Sequence, residues 1–383
     1  MTDLPKGFTA HVANVGIKDD TPDFAVVVAD RPCTSAAVFT RSRFAGPCVE
    51  LSRWHASDGC LRAVVVVSKN ANVATGPKGR RDAEAMATAV SEAWDLGGEE
   101  VLVAATGVIG RPLPMDVLEP HLAKLGPDVT GASLDDVATA MMTTDTHPKV
   151  ASRRVGKAKL VGVAKGVGMI EPDMATLLAF LFTDAEIDAA TLETTFRSAV
   201  DTTFNCVSID TDTSTSDTAS IIASGAAGPV DEKAFAKAVH AVCLDLTKQI
   251  AADGEGATKV IEVVVDGAQD DAQAKRVAKA VVNSPLVKTA VHGADPNWGR
   301  VAMAVGKCSD DHEIDQQRVT IRFGDLETYP RVVDDADLEK LATIMAGDTV
   351  RIGVSLGVGK ATATVWGCDL SREYVHINAD YTT

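Results

Sequence analysis

The chain has 383 residues, a length that predicts two or three domains or subdomains at about 150 residues each. Apolar residues make up 46% and charged residues 23%, which excludes wholesale disorder, and with aromatics at 4% the core is expected to be Ala, Val, Ile and Leu, as in layered α/β folds. A net charge of −16 makes the surface acidic, which argues against nucleic acid and anionic membrane as partners and leaves room for a local cationic pocket.

In chain order, residues 24–28 and 63–67 read as buried strands. Residues 82–94 read as a helix, with Ala83, Met86, Ala87, Val90 and Trp94 along one face. A further β-like run, 101–105, ends in Thr106-Gly107, and 116–124 and 134–142 look helical. After a short strand at 160–163 comes a turn-rich stretch, 165–174, with two glycines and a proline. It runs through Ala175-Thr176 into an apolar strand at 177–182. Helices at 189–200 and 231–252, a strand at 260–265 and a helix at 270–282 follow. Short strands at 319–323, 350–354 and 361–366, a helix at 335–345 and a β-like tail complete the reading. The polar run 210–217 is expected to be a loop lining a cavity. With no linker, the pattern implies one interwoven α/β body with a small C-terminal subdomain from about 285.

No apolar run approaches the roughly 18 residues of a membrane span. Residues 1–6 carry no basic-then-apolar leader. The seven cysteines are scattered without a Cys-x-x-Cys pair, which points to free thiols in a reducing cytoplasm and not to disulfides or a zinc site.

Several familiar patterns fail. Gly353-Val-Ser355-Leu-Gly357 lacks the helix of a nucleophile elbow, and only Asp369, Asp380 and His376 remain downstream as partners. Gly357-Val-Gly359-Lys360 lacks the first glycine and the Ser/Thr of a phosphate loop. Asp210-x-Asp212-x-Ser214 lacks the glycine and terminal Glu of a calcium loop, and the histidines show no metal spacing. His292 is either catalytic or, the simpler reading, a hydrogen-bonded turn residue.

Thr176, at the head of a buried strand after a Gly- and Pro-rich stretch, is different. If the peptide bond before it is cut, its freed α-amino group lies within reach of its own Oγ. With a reference pKa of about 7.7–8.0, that amine suits a general base. Strain in the preceding loop is one way to drive the hydroxyl onto its own preceding carbonyl. Strand-initial threonine is also simply a good β-former.

The segment from Lys165 through Gly-Val-Gly-Met-Ile-Glu-Pro-Asp-Met-Ala-Thr176 to Leu-Leu-Ala-Phe resembles the processing site of the ornithine acetyltransferase family, the self-cleaving glutamate N-acetyltransferases of arginine biosynthesis. Blocks at 105–110, 142–146, 208–214, 253–259, 292–300 and 378–383 resemble family blocks in the same order, so the likeness spans the chain. Two departures stand out. The family's Ser-Gly-Asn-Ala-Asn reads Ser68-Lys69-Asn70-Ala71-Asn72 here, and 39–47 resembles a paralogous ornithine acetyltransferase found with clavulanic acid genes.

The resemblance implies self-cleavage between Ala175 and Thr176 into chains 1–175 and 176–383. It implies a Thr176 nucleophile that forms an acetyl-enzyme, and an oxyanion hole from Thr106 and Gly107. It also implies substrate contacts at Thr144, Lys165, Thr176, Glu255, Asn378 and Thr383; by charge, Lys165 is expected to pair with the carboxylate of N-acetylornithine and Glu255 with its distal ammonium. Glutamate would accept the acetyl group in ping-pong order, with no metal or cofactor. The implied fold is a layered α/β sandwich of two stacked sheets flanked by helices, with smaller subdomains, similar to N-terminal-nucleophile enzymes. The two fragments would stay associated in a higher oligomer. A self-processing aminopeptidase or amidase of similar fold, or a binding protein without the chemistry, are the alternatives.

Overall fold

The computed structural model describes residues 2–171 and 177–380. The cleavage pair Ala175–Thr176 and the terminal Thr383 lie outside the described residues. In chain order, β1 (Phe8–Ala13), β2 (Phe24–Ala29) and β3 (Thr34–Phe39) precede α1 (Pro47–His55). Then come β4 (Ala63–Val67), α2 (Gly76–Trp94), β5 (Val101–Ala105), α3 (Met115–Leu122) and α4 (Leu134–Met141). The hairpin β6 (Lys149–Val155) and β7 (Ala158–Lys165) leads to β8 (Leu178–Glu186), α5 (Ala189–Thr202) and β9 (Thr218–Pro229). Next are α6 (Glu232–Ala252), β10 (Val260–Ala268), α7 (Asp271–Val282), α8 (Pro285–His292) and α9 (Trp298–Gly306). The chain closes with β11 (Thr320–Phe323), β12 (Leu326–Tyr329), α10 (Asp335–Met345), β13 (Thr349–Ser355), β14 (Ala361–Cys368) and α11 (Arg372–Asp380).

Two sheets are stacked. The first has the order β1-β2-β4-β5 and the second β3-β9-β8-β7-β6. Side chains alternate across each strand. Ala25, Val27, Val64, Val66 and Leu102 of the first sheet therefore meet Val161, Phe180, Phe182 and Ile222 of the second in one apolar layer, where Phe8 packs edge-on against Phe182. The other face of the first sheet (Val26, Val65, Val103) is covered by α1, α2 and α3. The other face of the second (Leu160, Leu181, Ile221) is covered by α5 and α6. Strands buried on both faces read as unbroken apolar runs, which is why β2, β4 and β5 stand out in the sequence. The expected stacked sheets flanked by helices are present.

A third sheet, β12-β11-β13-β10-β14, is the smaller subdomain, and its first strand, β10, begins at Val260, ahead of the expected 285. It shares the apolar cluster that α6 closes from the other side. The expected β-like tail is a helix, α11. Ser371 Oγ accepts the Glu373 N–H at 3.1 Å and starts it, and Tyr374, Val375 and Ile377 give it a misleading β-like composition. Helix α2 also starts six residues before the expected position, with Pro77 in its first turn, where Gly-Pro-Lys-Gly reads as a turn.

For the site, the decisive feature is the second sheet. β7 and β8 run antiparallel with Lys165 opposite Leu178, so the loop containing the processing sequence joins two central strands. β8 runs parallel to β9, and Thr218 donates its N–H to the Leu177 carbonyl at 3.0 Å. Strands from both sides of the expected cut therefore share one sheet, with β9 and β8 flanked by β3 and β7.

Candidate active site

At the β7–β8 end of the second sheet lies a cavity of about 220 Å3 whose lining includes Thr106, Gly107, Thr144, Lys165, Glu255 and Asn378. Every described residue of the sequence-derived site is in it. A recess of about 20 Å3 adjoins it, between Thr106, Lys165, Leu177, Ser214 and Asp217.

Thr106 and Gly107 follow β5 directly. The Thr106 N–H donates to the Val67 carbonyl at 3.0 Å, which continues the β4–β5 ladder one residue beyond the strand. Gly107 takes φ +130°, and a Cβ there would stand 2.3 Å from the Lys69 carbonyl carbon, so only glycine fits. Thr106 and Val108 commit their amides to Val67 and Lys69, while the Gly107 amide has no such partner among the described residues. A strand end followed by a glycine thus brings Thr106 and Gly107 to the cavity wall.

The departure at Lys69 is structural. Lys69 holds φ +71°, the left-handed region that favours glycine. Its ammonium reaches Asp19 Oδ1 at 2.5 Å, Thr21 Oγ1 at 2.7 Å and the Thr21 carbonyl at 2.9 Å. The hydrogen bonds from Lys69 and Thr21, together with the lysine charge, hold the Asp19 carboxyl well below its ordinary range.

Lys165 Nζ lies 3.4 Å from Thr106 Oγ1 and 4.0 Å from Asp145 Oδ2. Burial alone would raise the Asp145 carboxyl, but the charges of Lys165 and Lys149 and hydrogen bonds from Lys149 and the Gly166 N–H outweigh it and hold it at about 2. Glu255 accepts from Thr144 Oγ1 at 3.0 Å and from Asn378 Nδ2 at 2.9 Å. Its carboxylate packs against Gly168, where a Cβ would come within 2.7 Å of it. The cavity therefore presents an ammonium at one place and a carboxylate at another.

The polar run at 210–217 lines the site, as expected. Asp210 accepts the Met169 and Ile170 N–H groups at 2.6 and 2.8 Å and so anchors the loop after β7. Ser214, Thr215 and Ser216 face the cavity. Asp217, which the sequence offers only as the end of that polar run, carries a further feature. It is buried in the recess, Oδ2 has no hydrogen-bond partner among the described residues, and burial pushes its carboxyl well above the usual range. His292 does not line the cavity. It sits at the end of α8 with Nδ1 2.7 Å from Asp369 Oδ2, the hydrogen-bonded alternative of its two readings.

A larger cavity of about 560 Å3 lies between β3, α1 and α5. Three of its charged side chains are already engaged: Arg197 pairs with Glu193, and Arg53 donates to the Thr40 carbonyl at 2.8 Å and lies over the Phe39 ring. None of the described sequence-derived residues faces it, so the smaller cavity is the candidate site.

The model of the ArgJ family matches residues 9–383. The chain is 54% identical over 379 residues to the arginine biosynthesis bifunctional protein ArgJ 2 of Nostoc sp., covering 99% of this chain and 98% of that one. It is 56% identical over 385 residues to the glutamate N-acetyltransferase Oat2 of Streptomyces clavuligerus, again covering 99% and 98%. A crystal structure of the bifunctional protein ArgJ from Bacillus halodurans is 41% identical, with a TM-score of 0.48, and covers 52% of this chain and 96% of the solved one. With a family match over nearly its whole length and relatives above half identity, the chain is a member of the ArgJ family.

Proposed function

We propose that the chain is a self-processing acyltransferase that moves the acetyl group of N2-acetyl-L-ornithine to L-glutamate through an acetyl-threonine at Thr176. The observation that carries this reading is the convergence of Thr106, Gly107, Thr144, Lys165, Glu255 and Asn378, from well-separated stretches of chain, on one cavity beside Leu177 and Leu178.

Cleavage between Ala175 and Thr176 frees the α-amino group of Thr176, which takes the Oγ proton as Oγ attacks the acetyl carbonyl. The Thr106 hydroxyl and the Gly107 N–H stabilise the oxyanion. Collapse expels ornithine, whose departing α-amine receives the proton. The glutamate α-amine then attacks the acetyl ester and returns Oγ to the hydroxyl, which is a ping-pong cycle. Lys165 pairs with the substrate carboxylate, and Glu255, set by Thr144 and Asn378, takes the distal ammonium of ornithine. Thr383 completes the substrate contacts.

The products are chains 1–175 and 176–383. Support for their staying together is the second sheet, in which β3, β6 and β7 precede the cut and β8 and β9 follow it. At least two such pairs assemble. The setting is arginine biosynthesis, as named for the Nostoc relative, in the cytoplasm, where the free cysteines are stable. No helix among the described residues is long and apolar enough to cross a membrane.

The test incubates the purified chain with N-acetylornithine and glutamate and weighs the protein intact. N-acetylglutamate and ornithine are expected, with two polypeptides in the mass spectrum. Absence of transfer from a cleaved preparation would overturn the reading.

A further inference from the structure

Lys149 is fully buried at the first position of β6, where a charged side chain is least expected. Its ammonium lies 2.8 Å from Asp145 Oδ1 and 2.6 Å from Asp253 Oδ2, and both carboxylates are buried too. These partners come from distant segments, the loop after α4 and the end of α6, so Lys149 is the clasp between them.

Each carboxylate organises one arm of the cavity. Asp145 accepts the Thr143 N–H at 3.1 Å and the Gly166 N–H at 2.8 Å, and its second oxygen stands 4.0 Å from Lys165 Nζ. It thus sets the backbone on either side of Thr144 and Lys165. Asp253 accepts the Thr146 N–H at 3.1 Å and the Thr146 hydroxyl. It lies two residues before Glu255, whose own N–H donates to the Val167 carbonyl at 2.9 Å. Burying three charges is a poor route to stability, since apolar side chains of the same volume usually do as well. What the clasp gives instead is a fixed geometry between two loops that carry opposite charges.

We propose that Lys149 is a positioning residue that sets the spacing between Lys165 and Glu255 and so matches the cavity to a diamino acid of ornithine length. This deepens the proposed function and rests on it. Lys149 touches no substrate; it acts through Asp145 and Asp253. The pocket reads length as the distance between a carboxylate and a distal ammonium, so a looser clasp admits the homologue one methylene longer.

Three proteins test this: wild type, Lys149→Arg, and the double variant Lys149→Met/Asp253→Asn, which removes one charge of each sign. Calorimetric binding of ornithine and lysine gives an affinity ratio independent of turnover, and thermal melting reports folding. The wild type is expected to prefer ornithine by about tenfold or more, the size one methylene commands. The double variant should melt near the wild type yet lose most of that preference, through weaker ornithine and stronger lysine binding, and Lys149→Arg should retain part of it. A merely structural clasp predicts that restored melting restores the ratio. A ratio within twofold of wild type in the folded double variant therefore overturns the proposal alone. A wild type that binds neither amino acid overturns it together with the reading of the site beneath it.

Discussion

The two ends of the cavity are built by different means. At the proposed acyl end, Thr106 and Gly107 are placed by main chain: a β4–β5 ladder that runs one residue past the strand, and a glycine pressed against the Lys69 carbonyl. At the charge-reading end, Glu255 is placed by side chains, the Thr144 hydroxyl and the Asn378 amide, both at exposed positions. The proposed oxyanion site rests on main-chain placement, so an added atom at Gly107 displaces the strand end itself. A side-chain site loses contacts one at a time. Disruption at the acyl end should therefore abolish the chemistry, and disruption at the other end should grade it.

The largest effect belongs to Thr176→Ala. With no hydroxyl, the chain should remain a single polypeptide by intact mass, and transfer should fall on the order of 10^4-fold or more. Efficient cleavage of this variant would contradict self-processing. Next is Gly107→Ala, which forces either the strand end or the Lys69 turn to move. A loss of about 10^2- to 10^3-fold in kcat, with KM for the donor little changed, is expected in steady-state assays. If KM rises and kcat holds, the two ends are not as separate as the structure makes them. Glu255→Gln comes third. It keeps the size and one acceptor but removes the charge, so KM for N-acetylornithine should rise about tenfold or more with the melting temperature unchanged. An unchanged donor profile would remove Glu255 from the ammonium contact.

The same contrast governs how much could be read from the sequence. β4 and β5 match their expected bounds because strands buried on both faces are unbroken runs of valine, leucine and alanine. From them the Thr106-Gly107 turn follows directly. β9 escaped notice, since Thr218–Pro229 mixes serine, glycine and alanine, a composition tolerated only because neighbours on both sides supply the bulk. Helix α11 was hidden by β-branched residues whose side chains pack against nothing that periodicity could reveal. The residues lining the cavity came from ordered resemblance, not from spacing. The Asp145–Lys149–Asp253 clasp was illegible for a further reason. A lysine at a strand start is normally solvated, and its second carboxylate lies 104 positions away, so only the folded chain discloses that the three meet.

The smallest effect sharpens the comparison most. Lys69 occupies a left-handed position that costs an L-residue about 1–2 kcal/mol and costs glycine little. The opposing gain is an ammonium tied to the 19–21 segment at 2.5–2.9 Å. Asp19 is largely exposed, so solvent screens this pair, and its benefit is of the same modest size as the strain. Lys69→Gly exchanges one for the other. The melting temperature should move by only a few degrees, and kcat should stay within about twofold, because Gly107 is held by the backbone of residue 69 and not by its side chain. Lys69→Ala keeps the unfavourable φ without the tether and should be the less stable of the two variants by thermal melting. If Lys69→Gly instead lowers kcat as far as Gly107→Ala does, the ammonium latch, and not the main chain, is what holds the acyl end in shape.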